Sequence, residues 1–190
     1  AVEAGLGGLE FAAGIPGSLG GGVIMNAGAY GGEMKDVISH VIAVDYSGQE
    51  HRFDNEQLHF GYRKCALQGQ DLIVAQVGLR LREQDPAISR ALIIDYNERR
   101  RSKQPLHLPS AGSVFKRPPG QFAGQLIEQA GLKGKRIGGA EVSSLHAGFI
   151  VNVGRATAKD VEDLIRHVQQ VVADKFGVHL ETELRIVGEE

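Results

Sequence analysis

Three short segments hold the side chains best suited to chemistry. The first, Phe60-Gly61-Tyr62-Arg63-Lys64-Cys65, sets a phenol beside a guanidinium, next to a glycine. An arginine in such a place can grip a carboxylate or phosphate through two parallel hydrogen bonds. The second, Ser110-Ala111-Gly112-Ser113-Val114-Phe115-Lys116-Arg117-Pro118, brings a hydroxyl to a tight spot beside two cations. In the third, Glu181-Thr182-Glu183-Leu184-Arg185, strand alternation puts Glu181, Glu183 and Arg185 on one face. Each also has a plain structural reading: an ion-pairing surface arginine, a turn, a solvated edge strand. Metal chemistry is not expected, because no two of the seven histidines have i,i+3 or i,i+4 spacing and there is one cysteine. A serine-hydrolase elbow is also absent, since Pro16 and Ala111 stand where G-x-S-x-G needs its first glycine.

A fourth feature is backbone. Eleven of the 28 residues from Gly5 to Gly32 are glycine. The residues between them are apolar (Leu9, Phe11, Ile15, Val23, Ile24, Met25), unlike those of a flexible linker. Glycine admits left-handed backbone and lets a ligand come close to the main chain. No Lys follows these glycines until Lys35, so a Walker A loop is excluded, and Glu10 and Met25 stand where a dinucleotide fingerprint needs its third glycine. What remains is an irregular loop whose amides can cradle a pyrophosphate or face a planar ring.

These residues need elements to hold them. Val37–Asp45, a turn at Ser47-Gly48 and Glu50–Phe53 read as a hairpin, and Asp71–Arg82 as an alternating strand. Pro86–Arg101 reads as a helix with Ile88, Leu92 and Ile93 on one face, and Gln104-Pro105…Pro109 as a break. Beyond it, Gly112–Phe115 reads as a strand, Phe122–Ala130 as a helix stopped by Gly131, and Phe149–Val153 as a strand. Thr157 and Asp160 form a capping box for a helix with one apolar stripe (Val161, Leu164, Ile165, Val168, Val171, Val172, Phe176), stopped by Gly177. His179–Val187 reads as a final strand. The net charge of −2 gives no general attraction to nucleic acid or membranes, and no aromatic residues interleave the basic run Arg99–Lys103. A lone Cys65 fits a reducing cytoplasm. No apolar run approaches the length of a membrane span, and no leader pattern opens the chain. It opens instead within the glycine block, as a chain lacking its beginning would.

Taken together, these segments and their order resemble the UDP-N-acetylenolpyruvoylglucosamine reductases (UDP-N-acetylmuramate dehydrogenases), the flavoenzymes of peptidoglycan precursor synthesis. The resemblance is carried by Ile15-Pro16-Gly17-Ser18-Leu19-Gly20-Gly21, Met25-Asn26-Ala27-Gly28-Ala29-Tyr30-Gly31, Phe60-Gly61-Tyr62-Arg63, Ala111-Gly112-Ser113-Val114-Phe115-Lys116 and Glu183-Leu184-Arg185-Ile186-Val187-Gly188. The short Arg82–Asp85 connection and Ser144-Leu145-His146-Ala147-Gly148-Phe149 resemble the family's second type, which lacks a substrate-capping loop. The resemblance implies an α+β fold: the C-terminal part of an FAD-binding α+β domain over residues 1–104, a small α+β substrate-binding domain over 105–182, and a strand over 183–190 that returns towards an absent N-terminal FAD-binding region. It implies an NADPH-dependent reduction of UDP-N-acetylglucosamine enolpyruvate to UDP-N-acetylmuramate, with hydride passing through FAD N5 to C3 and a proton reaching C2. Ser113 matches the proton donor, and Arg63 and Glu183 match the residues that polarise the carboxylate. The cofactor loops match Ile15, Pro16, Gly17, Ser18, Gly20, Gly21, Asn26, Ala27, Gly28, Ala29, Tyr30 and Gly31. Tyr62, Arg100, Lys103, Lys116 and Arg117 are the expected substrate contacts. A cytoplasmic monomer without nucleic-acid or membrane partners is expected. Cys65 stands where a serine is common in the family. The rival readings are an inactive fragment or UDP-sugar-binding module without flavin chemistry, and a flavin oxidase of the same architecture.

Overall fold

The computed structural model describes residues 1–188 and divides the chain into two compact units, Ala1–Arg99 and Arg100–Glu190. Both mix helices with antiparallel strands, the α+β class expected from the sequence.

The first unit contains β1 (Leu6–Gly7), α1 (Leu19–Ile24), β2 (Gly28–Ala29), β3 (Gly32–Glu33), β4 (Ile38–Asp45), β5 (Glu50–Asp54), β6 (Leu72–Leu79), β7 (Arg82–Glu83) and most of α2 (Pro86–Lys103). β4 lies between β5 and β6, antiparallel to both, with Val41 opposite Phe53 on one side and Val77 on the other. The β4–β5 turn is held by the Asp45 carboxylate, which accepts from the Ser47 and Gln49 amides at 2.9 and 3.0 Å. Val41 points into a core that also contains Phe11, Val23, Met34, Leu58, Cys65 and Leu67.

The strand expected over Asp71–Arg82 ends at Leu79. Arg82–Glu83 forms a separate rung with β1, Gly7 opposite Arg82. α2 differs from expectation in what it buries: Ile88 is 55% exposed and only Ser89 is fully enclosed. The helix start is attached by polar contacts. The Ser89 hydroxyl donates to Glu10 Oε1 at 2.6 Å, and Gln84 Nε2 donates to both, at 2.7 Å to Ser89 and 2.9 Å to Glu10.

The second unit contains β8 (Ser110–Ser113), α3 (Ala123–Gln129), β9 (Arg136–Ile137), β10 (Ala140–Val142), β11 (Phe149–Asn152) and α4 (Ala158–Phe176). Its sheet has the order β8-β11-β10-β9, all neighbours antiparallel. α4 buries Leu164, Ile165, Val168 and Val172 in the core below the sheet, the stripe its 3.6-residue period demands. The capping box is formed as the sequence predicts: Thr157 Oγ1 accepts from the Asp160 amide at 3.1 Å and Asp160 returns the bond to the Thr157 amide at 2.9 Å. Gly177 closes the helix in the left-handed region at φ 67°.

Two features depart from the sequence reading. β9 and β10 form a hairpin over Gly138-Gly139 that the short flanking pattern does not announce. Gly139 is required there, because a Cβ would lie 2.3 Å from the Gly154 carbonyl oxygen. The strand expected over His179–Val187 is instead a single bridge, Thr182 opposite Phe115. Alternation shows a face, but a strand also needs a partner of matching length, and only the residues just after β8 supply one. Of the strand expected over 183–190, residues 189 and 190 lie outside the described residues.

Candidate active site

In the first unit the glycines of the glycine-rich block play two parts. Some glycines permit close packing: a Cβ on Gly32 would lie 2.6 Å from the Phe11 ring, and one on Gly28 2.8 Å from Glu33 Cγ. Others supply left-handed turns with open space on the Cβ side, Gly17 at φ 123° and Gly31 at φ 87°. Pro16, Gly17, Ser18 and Leu19 are exposed, and Ile15 and Gly20 are half-buried. Ser18 caps α1 by accepting from the Gly21 amide at 3.1 Å. This leaves exposed main chain at Pro16–Leu19 and at the Tyr30-Gly31 tip, two of the loops expected to face a ligand.

Tyr30 stacks on Tyr96 of α2 with ring centroids 4.4 Å apart, and its hydroxyl donates to the Tyr96 carbonyl at 2.9 Å. Asn26 is different from its loop neighbours. It is 1% exposed and its amide is spent on protein groups: Nδ2 donates to Glu33 Oε2 at 2.8 Å and to the Gly61 carbonyl at 3.0 Å, and Oδ1 accepts from the Lys35 amide at 3.0 Å. Lys35, 2.9 Å from Glu33, is the main reason the Glu33 carboxyl sits below its usual range, with Asn26 and the Arg63 charge adding to it.

Arg63 occupies a tight turn. Gly61 and Lys64 exchange both backbone hydrogen bonds, at 2.9 and 3.2 Å, leaving Tyr62 and Arg63 at the tip. Arg63 adopts φ 54°, uncommon for a residue with a side chain. Its guanidinium lies 5.2 Å from the Tyr62 ring centroid, a cation–π distance. Cys65 just beyond is 1% exposed, and burial pushes its thiol up, so it belongs to the core.

In the second unit Ser113 ends β8, opposite Phe149, and is exposed. Immediately after it, backbone bonds join the second and third chemistry-bearing segments. The Lys116 amide donates to the Glu181 carbonyl and the Glu183 amide to the Val114 carbonyl, each at 2.8 Å. Glu183 is thereby fixed beside the residue that follows Ser113. Lys116 forms an ion pair with Glu181. Arg117 places its guanidinium 4.4 Å from the Phe122 ring centroid. A groove of about 340 Å³ opens here, lined among others by Lys116, Arg117, Pro118, Gln121, His179 and Glu181. Arg100 is half-buried and Lys103 exposed, both on the last turn of α2.

The structure gives contacts to residues for which sequence reading assigned no role. Gln68 donates through Nε2 to the Ile24 and Arg63 carbonyls, at 2.9 and 3.0 Å. His146 sits edge-on to Phe149 and accepts from the Gly148 amide at 3.0 Å, and burial lowers its affinity for a proton. Lone amide and imidazole side chains in loops carry no spacing signal. Only Tyr96, one helical turn before Arg100, lay on a pattern that could have been followed. Among the described residues no three His, Cys, Asp or Glu side chains gather to hold a metal, and no helix is long and apolar enough to cross a membrane.

Two α+β units, one with a glycine-rich loop system beside an arginine turn, the other with Glu183 bonded through its amide to Val114, the residue after Ser113, define a protein of modular build. Residues 104–187 match the family model for the UDP-N-acetylenolpyruvoylglucosamine reductase C-terminal domain. The chain is 56% identical to the UDP-N-acetylenolpyruvoylglucosamine reductase of Limosilactobacillus fermentum over 181 residues, 95% of this chain and 60% of that protein. With the protein of the same name from Lactiplantibacillus plantarum it shares 54% identity over 190 residues, 100% of this chain and 63% of that protein. The crystal structure of UDP-N-acetylenolpyruvylglucosamine reductase from Thermus caldophilus superposes with a TM-score of 0.85 at 42% identity, over 97% of this chain and 66% of that one. The chain belongs to the UDP-N-acetylenolpyruvoylglucosamine reductase family. It spans about 60% of the length of the curated relatives it matches.

Proposed function

We propose that this chain supplies the second cofactor lobe and the substrate domain of an enzyme that reduces UDP-N-acetylglucosamine enolpyruvate to UDP-N-acetylmuramate with NADPH and FAD, in peptidoglycan precursor synthesis in the cytoplasm. The observation that carries the reading is the pairing of the Glu183 amide with the Val114 carbonyl, which ties the expected carboxylate to the segment bearing the expected proton donor. The open, left-handed glycines at 17 and 31 and the exposed chain around them fit a flavin, since they present main chain that no side chain obstructs. When bound, FAD would take hydride from NADPH and deliver it to C3 of the enolpyruvyl group.

Within this reading the protein's residues do the following. Ile15, Pro16, Gly17, Ser18, Gly20, Gly21, Ala27, Gly28, Ala29, Tyr30 and Gly31 line the cofactor loops. Arg63 binds the substrate carboxylate, where negative charge gathers as C3 is reduced, and a fixed cation in a water-poor site lowers that barrier. Glu183 is the second residue that polarises the substrate carboxylate. Ser113 hands its hydroxyl proton to C2. Lys116 is held by Glu181, so it acts as a fixed charge near Ser113. Arg117 over Phe122, with Tyr62, Arg100 and Lys103, provides donors for the diphosphate and sugar.

Stopped-flow kinetics of the two half-reactions test this. Ser113→Ala is expected to leave flavin reduction by NADPH unchanged and to slow reoxidation by the enolpyruvyl substrate on the order of 10²- to 10⁴-fold. Equal loss in both half-reactions would remove Ser113 from the proton-transfer role.

A further inference from the structure

The Tyr62–Arg63 turn is gripped on both sides by side-chain amides. Asn26 Nδ2 donates to the Gly61 carbonyl at 3.0 Å, on the turn's entry side, and Gln68 Nε2 donates to the carbonyl of Arg63 itself at 3.0 Å. Each amide nitrogen spends its second hydrogen on the glycine-rich region. Asn26 bonds Glu33 Oε2 at 2.8 Å, and Gln68 bonds the Ile24 carbonyl, at the end of α1, at 2.9 Å. A side-chain amide has two N–H donors, so both are fully used as bridges. Arg63 also holds a left-handed backbone at φ 54°, a conformation that persists where its surroundings over-determine it.

We infer that Asn26 and Gln68 are positioning residues that lock Arg63 to the cofactor loops. The amide of Asn26, placed in a cofactor-loop motif, is spent on protein groups and joins the loop's frame to the arginine turn. The inference rests on the reading of Arg63 as the carboxylate-binding residue. Its consequence is energetic. Because the loop around Asn26 and the Arg63 turn share two bridging amides, a ligand that orders one side orders the other, and the effect is reciprocal. The bridge also explains why a buried carboxamide is placed in a segment rich in glycine and alanine. An apolar residue there would leave the Gly61 carbonyl and the Lys35 amide without these partners, a cost that buried polar groups do not escape.

Asn26 is fully buried, so the half-buried Gln68 carries the test: Gln68→Met keeps the length and removes both donors. In this chain, amide hydrogen exchange at Gly61 and Lys64, the two bonds that close the turn, is expected to quicken about tenfold relative to the unchanged protein. In the FAD-loaded enzyme the same variant is expected to raise KM for the enolpyruvyl substrate and slow reoxidation about tenfold, with flavin reduction by NADPH unchanged. Unaltered exchange at Gly61 and Lys64 overturns the clamp. Faster exchange with equal loss in both half-reactions also overturns it, since it would make Gln68 a support of the fold alone. If the unchanged enzyme takes up no FAD, the cofactor reading fails by itself and the exchange result decides the clamp.

Discussion

Glu10 shows how a single residue can be both buried and charged. It is 7% exposed, and burial alone pushes its carboxyl up. Hydrogen bonds from the Ser89 hydroxyl and the Gly8 amide, with the Arg82 charge, outweigh that and bring the group below the usual glutamate range. A carboxyl whose proton affinity is reduced by folding contributes stability above its unfolded value of about 4.3, and that contribution is lost as pH falls through the lower folded value. Glu10→Gln puts an amide donor against the Gly8 N–H or the Ser89 hydroxyl. It should cost about 2 kcal/mol at neutral pH and much less in acid, where the native carboxyl is protonated. Urea unfolding at both pH values checks this, and an equal cost at each would contradict the assignment. None of it was legible in the sequence, because Gly8, Glu10, Gln84 and Ser89 come from three separated stretches and show no common spacing.

At the scale of elements, the parts that were legible are those whose own period matches their burial. β4 and β5 alternate, and their Ser47-Gly48 turn is of the kind such a hairpin needs. α4 carries its cap, its stripe and its stop in consecutive residues. Its cap is the natural place for a prediction: Thr157→Ala removes the acceptor for the Asp160 amide and should lower stability by about 1 kcal/mol, read from thermal unfolding by circular dichroism. A loss indistinguishable from zero would mean water replaces the cap without cost. α2 was predicted in extent but not in attachment, because Ile88, Leu92 and Ile93 suggest an apolar seat and the helix start is seated instead through Ser89. The final strand is shorter than its alternation suggests for the converse reason. Glu181–Arg185 alternates perfectly well, yet its pairing is limited to Phe115 with Thr182 and the two backbone bonds beside it.

For the whole molecule, the two units have separate cores, one centred on Val23, Val41 and Leu58, the other on Leu164, Val168 and Val172. Val41→Ala and Leu164→Ala each leave a cavity where the side chain is 0% exposed. The expected cost is about 1 to 5 kcal/mol, with the leucine at the upper end. The accompanying loss of hydrogen-exchange protection should concentrate within residues 1–99 for the first and 100–188 for the second. Loss spread evenly over both units by either variant would show that the cores act as one. The sequence by itself determined which residue types could do this chemistry, the hairpin, the major helices, and the family, because each depends on local order and spacing. Tertiary structure alone decided their partners. It turned the Asn26 amide inward, tied Lys116 to Glu181, set Glu183 against Val114 and gripped the Arg63 turn through Gln68. Lys116 with Glu181 and Glu183 with Val114 join residues far apart in the chain, Asn26 and Gln68 bridge nearer ones, and in each case the geometry is fixed by packing and by the need of polar groups for partners.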